Sequence, residues 1–132
     1  MSTRFQGRGN LGAAPVLRQV EQDGETVSVA TLRVYFDRQV PKGEGQFEDR
    51  GGVWLDVSLW GTRAENAARL LSKGTRLAVS GTLIQRNWTD RDSGEERTRI
   101  EVRADHVDLD LARIAHIEYR ARETAHATDP QV

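Results

Sequence analysis

The stretch VWLDVSLW, residues 53 to 60, carries two of the three tryptophans in the 132-residue chain. In an extended strand successive side chains alternate, so Trp54 and Trp60 share a face with Asp56 and Ser58. Val53, Leu55, Val57 and Leu59 take the other face and are expected in the core. Trp88 ends the run RLAVSGTLIQRNW. There alternation sends Leu77, Val79, Gly81 and Leu83 inward, and Thr82, Ile84, Arg86 and Trp88 outward. In TVSVATLRVYFD, Ala30, Leu32, Val34 and Phe36 line one side; Thr31, Arg33 and Tyr35 line the other.

Pooled, the outward positions are Arg33, Tyr35, Trp54, Trp60, Arg86 and Trp88. Wide aromatic surfaces beside guanidiniums suit stacking rather than bond breaking. An unpaired base on an aromatic ring gains roughly 1–3 kcal/mol whatever its identity. Neighbouring cations add attraction to phosphates. A single tryptophan on a sheet more often packs under a loop or at a protein interface. Three together, flanked by Arg33, Arg86 and a charged loop, favour single-stranded nucleic acid. Three platforms bind only modestly once the ordering of a flexible strand is offset, so several copies on one strand, hence an oligomer, are expected.

Other chemistries lack their residues. No G-x-x-x-x-G-K-[ST] loop is present, and GRGNLG is not followed by a helix. Ser80 lies outside any G-x-S-x-G elbow. His106, His116 and His126 stand ten apart, which is not metal-ligand spacing on one helical turn, and Asp90, Asp92, Glu95 and Glu96 lack a calcium-loop pattern. No enzyme activity, cofactor or metal is expected. With no cysteine there is no disulfide framework or thiolate site, which fits a reducing compartment. No apolar run is long enough for a secretory signal or a membrane span, so the cytoplasm is expected. The net charge of −1 gives no global pull toward a polyanion, so any such attraction must come from the local placement of arginines.

These residues need a β scaffold. The first strand is expected roughly from Thr3 to Val20, broken at GNLGAAP, followed by a hairpin turn at Asp23-Gly24. RQVPKGEGQFEDRGG, residues 38–52, reads as a long, mobile, exposed loop. GTRAENAARLLSKG is the helix: Thr62 as N-cap, Glu65 completing a capping box, an apolar stripe of Ala64, Ala67, Ala68 and Leu71, and Lys73-Gly74 as the stop. The fifth strand, RTRIEVRADHVDL, is expected to bury Ile100, Val102 and Ala104, leaving Arg99, Glu101 and Arg103 outside. After Leu109 the sequence suits either a short helix using Leu111, Ile114 and Ala115 or a strand through Ala115, Ile117, Tyr119 and Ala121. TAHATDPQV reads as a frayed end. Five strands with one helix between the third and fourth describe an all-β OB-fold, a Greek-key barrel over residues 1–109, with an extension over 110–132.

Four segments, in order, resemble the bacterial single-stranded DNA-binding protein family. GNLGAAPVLR (9–18) is similar to that family's GNLG–DPE-R opening, and VATLRVYFDR (29–38) to VANFSIATNR. VWLDVSLWGTRAENAARLLSKGTRLAVSGTL (53–83) and QRNWTDRDSGEERTRIEV (85–102) are similar to its later strands and hairpin. The resemblance implies an OB-fold, sequence-tolerant single-stranded DNA binding and a homotetramer. Trp54 and Trp88 fall on family stacking tryptophans, Trp60 on a stacking phenylalanine, and Lys73 and Arg86 on basic positions along the DNA path. Departures from the family pattern are Val40 for a stacking tryptophan, with Tyr35 or Phe47 as substitutes, Asp56 for Arg, Thr62 for Lys, and Leu55 for a subunit-contact His. RFQGR is less apolar than the family's first strand, which weakens the usual dimer pairing. The family's acidic tail, which docks repair partners, has no counterpart before TAHATDPQV. That suggests a short relative serving a plasmid or integrated mobile element, or a dimeric primosomal accessory protein. The rival expectation, supported by Asp56 and Thr62, is an OB-fold interaction module.

Overall fold

The computed structural model describes residues 2–122. Its strands are β1 (Arg4–Leu11), β2 (Val16–Gln22), β3 (Glu25–Phe36), β4 (Gln39–Gly43), β5 (Gln46–Asp49), β6 (Val53–Trp60), β7 (Arg76–Thr89) and β8 (Glu96–Leu109). One helix, α1 (Thr62–Leu70), separates β6 from β7, and a 3-10 turn spans Leu111–Arg113. Pairing runs β1–β3–β6–β8–β7 and returns to β1, so the ring of hydrogen-bonded neighbours closes. All neighbours in it are antiparallel except β6 and β8, which run parallel. This is the connectivity of the OB-fold. β2 extends the sheet by pairing along β3. Its hairpin turns at Asp23 (φ 52) and Gly24 (φ 81), the two left-handed residues that a tight turn between twisted strands requires.

The inward stripes meet inside the ring. Leu11, Leu32, Val34, Val57, Leu77, Val79 and Val102 are fully buried, with Phe36 and Leu59 close behind. Phe5 packs edge-on against Phe36 with ring centroids 4.8 Å apart. Arg76 at the start of β7 grips Asp37 with both terminal nitrogens and reaches Asn10 at 3.3 Å, tying β1, β3 and β7 together. The carboxylate beside it raises the Arg76 pKa above its ordinary value.

Alternation overreaches at two positions. Val53 and Ile100, both expected in the core, are 48% and 52% exposed. β7 and β8 are 14 residues each, roughly 46 Å when extended. β1 pairs β7 only as far as Thr82, and β6 pairs β8 only from Glu101 to Arg103. Residues beyond those limits form a two-stranded ribbon projecting past the core, and Ile100 lies on it. Val53 lies at the matching end of β6, beyond the reach of β8.

The expected loop over residues 38–52 contains a hairpin, β4 with β5, turning at Glu44 (φ 52) and Gly45 (φ 75). Neither of its faces is buried against the core, so no hydrophobic alternation marks it in the sequence. The helix start also differs from expectation. Gly61, at φ 74, is the N-cap, Thr62 is the first helical residue, and no side chain caps the helix. The Gly61 N–H donates to the Ser28 carbonyl at 2.8 Å, which pins the turn to β3. Glu65 turns away from the backbone and accepts from Ser28 Oγ at 2.7 Å, while Gln19 donates to that same oxygen at 3.0 Å. After β8 neither the longer helix nor the strand forms. One 3-10 turn is capped by Asp110, which accepts from the Ala112 N–H at 2.9 Å, and irregular chain follows to residue 122. Of the expected helix using Leu111, Ile114 and Ala115 only the single turn over Leu111–Arg113 forms, and TAHATDPQV, residues 124–132, lies outside the described residues.

Candidate nucleic-acid interface

The adjacent strands β3, β6, β8 and β7 present one outward face. Trp54 on β6 is directly opposite Tyr35 on β3, their ring centroids 5.2 Å apart and tilted by 51°. The indole lies over Gly12, where an added Cβ would come within 2.5 Å of a ring carbon, so a residue without a side chain is what lets the ring settle there. The Arg33 guanidinium is 5.6 Å from the Trp54 ring centroid. Even so packed, Trp54 is 48% exposed.

Tyr35 does more than flank the indole. Its hydroxyl donates to Asp49 Oδ2 at 3.0 Å and accepts from the Gly52 N–H at 2.9 Å, fastening the β4–β5 hairpin to the sheet. That hydrogen bond to a carboxylate raises the Tyr35 pKa. Asp49 also accepts from the backbone N–H groups of Arg38 and Gly51. Chiefly through the Arg38 N–H, its pKa falls below the usual carboxylate value.

Trp88, on the projecting ribbon, is 44% exposed, with the Arg99 guanidinium 5.9 Å from its ring centroid. Trp60, at the other end of β6, is half-buried, and Arg103 stands 4.8 Å from its centroid. Its Nε1 is buried without a partner, as is Ser58 Oγ two residues earlier. Between β3, β6 and β8 a groove of about 650 Å³ is lined by Arg33, Trp54, Leu55, Asp56, Arg99 and Ile100, together with Thr98.

The structure thus brings Arg33, Tyr35, Trp54, Arg86 and Trp88 onto connected strands, with Trp60 further along the same face. Lys73 is exposed but precedes β7, at the strand end away from Arg86 and Trp88. Arg86 is paired with Glu101, and Arg33 with Asp56 at 3.1 Å. Sequence reasoning placed Arg99 and Arg103 outside without assigning them a role. Their approach to Trp88 and Trp60 follows from the β8 register, and alternation in RTRIEVR is the signal that could have drawn attention to them. Among the described residues no helix is long and apolar enough to cross a membrane.

The model of the single-strand binding protein family matches residues 4–110. The chain belongs to the single-strand binding protein family. Among curated members, the single-stranded DNA-binding protein of Mycobacterium leprae is 37% identical over 102 residues, covering 75% of this chain and 57% of that protein. The namesake of Mycobacterium tuberculosis strain H37Rv is 38% identical over the same length, covering 75% and 58%. Single-stranded DNA-binding protein 1 of Xylella fastidiosa is 38% identical over 109 residues, covering 80% and 75%. The chain therefore spans little more than half the length of its mycobacterial relatives. In fold it is similar to the small single-stranded DNA-binding protein from Streptomyces coelicolor, with a TM-score of 0.61 and 24% identity, covering 85% of this chain and 97% of that one.

Proposed function

We propose that this protein binds single-stranded DNA without reading its sequence. Bases stack on Trp54, Trp88 and the more embedded Trp60, while Arg33, Arg86 and Arg99 contact the phosphates and Tyr35 supports the Trp54 ring. Lys73 adds a phosphate contact where the strand leaves the face. The observation that carries this reading is the pair of half-exposed indoles, Trp54 and Trp88, each with a guanidinium within 6 Å of its ring, on the outward face of an OB sheet. Family membership supports it. The protein is non-enzymatic, acts in the cytoplasm as a homo-oligomer, tetrameric or dimeric, and serves replication, recombination and repair of a chromosome or a mobile element.

Titration with oligo(dT) tests the reading. Tryptophan emission should fall on binding, and affinity should weaken as salt rises, because phosphate contacts release counterions. Unchanged emission together with unchanged sedimentation at saturating oligonucleotide would contradict it. Light scattering with and without oligonucleotide reads the assembly state. A second reading, a protein-interaction module, draws on the carboxylates that already pair the arginines of this face. A co-purified partner that shields Trp54 from quencher, in the absence of DNA binding, would select it.

A further inference from the structure

The guanidiniums of the face are not waiting free for phosphate. Asp56 accepts from Arg33 of β3 at 3.1 Å and from Arg99 of β8 at 2.8 Å, bridging two strands from the one between them. Its neighbour across the parallel β6–β8 pairing is Glu101, which holds Arg86 of β7. Arg86 and Arg99 are themselves register partners on β7 and β8, so two like charges stand opposite each other and a separate carboxylate draws on each. Exposure is lopsided within these pairs. The Asp56 side chain is only 13% exposed, whereas those of Arg33 and Arg99 are 49% and 59%. A strand entering the groove meets guanidinium first and carboxylate last.

We propose that Asp56 is a positioning residue that sets the affinity and salt response of single-stranded DNA binding. It stands in for a phosphate inside the empty groove, keeping Arg33 beside Trp54 and Arg99 beside Trp88, and gives both up to the DNA backbone when a strand arrives. The proposal rests on the single-stranded DNA reading above. Its consequence follows from counterion accounting. Ordinarily each phosphate neutralised on a single strand releases about 0.7 of a counterion. When both guanidiniums leave Asp56 for phosphates, the single carboxylate left behind takes up at most one cation, which cancels the release at one of the two contacts. Asp56 thereby flattens the salt dependence of binding and weakens it at low salt, which favours release of the strand.

The test compares wild type, Asp56→Asn and Asp56→Glu, binding a labelled oligo(dT) at salt concentrations from about 50 to 200 mM, the range in which phosphate contacts dominate the response. Asparagine keeps the shape and one acceptor while removing the charge. Because one carboxylate takes up at most one cation, the slope of log affinity against log salt should steepen by about 0.7. The Asn variant should bind more tightly at the low end, and its advantage should shrink about 2.6-fold across a fourfold rise in salt. Asp56→Glu, which restores the charge, should return the slope toward wild type. Glu101→Gln repeats the test through Arg86, with a similar change in slope, and serves if Asp56→Asn folds poorly. Equal slopes in wild type and the Asn variant, or weaker binding of that variant at every salt concentration, would overturn the proposal while leaving DNA binding intact. Absence of binding by wild type would instead overturn the functional reading itself, and this proposal with it.

Discussion

Trp54 and Trp60 occupy one face of one strand, six residues apart, and the two ends of β6 treat them differently. At the Trp60 end the chain turns at Gly61, is pinned to Ser28 of β3, and enters α1 at once. The indole is half-buried, its Nε1 sealed, with Arg103 beside the ring. At the Trp54 end β8 no longer pairs with β6, the groove opens, and Gly12 and Tyr35 support the ring with Arg33 beside it. Alternation assigns both indoles to the same face. What covers them depends on the elements arriving at each strand end. One tryptophan is built into the fold and the other stands off it.

The sharpest way to test that contrast is to remove the rings. Trp54→Ala and Trp88→Ala should each lower oligo(dT) affinity by about 5- to 150-fold, the equivalent of losing 1–3 kcal/mol of stacking per base. Their unfolding midpoints should move little. Trp60→Ala should cost both quantities: affinity, and about 1–3 kcal/mol of stability for the apolar surface it buries, read by denaturant unfolding. A Trp60→Ala protein as stable as Trp54→Ala would erase the distinction between the two ends.

Smaller effects sharpen it. Gly12→Ala drives a methyl into the Trp54 indole, and overpacking of this kind costs about 1–3 kcal/mol when the neighbours cannot move. Because the ring is half-exposed, it should swing away, so affinity falls by less than in Trp54→Ala and the Trp54 emission shifts. Ser28→Ala, at the closed end, removes the hydroxyl between Gln19 and Glu65; it should cost about 0.5–1.5 kcal/mol of stability and leave DNA binding unchanged.

The smallest effect is confined to the β4–β5 hairpin. Asp49 has a depressed pKa in the folded state, so its contribution is present above the unfolded value, about 3.9, and is lost as pH falls through the folded one. Below about pH 4, amide exchange in the hairpin should accelerate while exchange in the ring of strands stays slow. Tyr35→Phe should produce the same local loosening at neutral pH.

Much of this was legible in the sequence, for physical reasons that also explain what was not. Strands with one buried face declare themselves by alternation, and the β3, β6 and β7 stripes did so through Leu32, Val57 and Val79. Asp23-Gly24 announced its turn because few other pairs accept two left-handed residues. The β4–β5 hairpin stayed hidden because it buries neither face. Val53 and Ile100 kept the alternating pattern beyond the point where neighbouring strands could cover them. The Thr62–Glu65 capping box satisfied the local rule, yet Gly61 and Ser28 offered the backbone and Glu65 other partners. The Asp56 bridge depends on which residues of three strands stand side by side, and register is written in no single segment. Asp56 could be read as a missing cation; the two arginines it holds could not.

The most direct measurement follows the three indoles separately during one titration. In variants retaining a single tryptophan, the other two replaced by phenylalanine, oligo(dT) should quench Trp54 and Trp88 strongly and in step with binding. Trp60, already shielded on one side, should respond more weakly. If Trp54 and Trp88 kept their full emission at saturation while the protein bound DNA, the strand would be lying elsewhere, and the open end of β6 would not be the binding face.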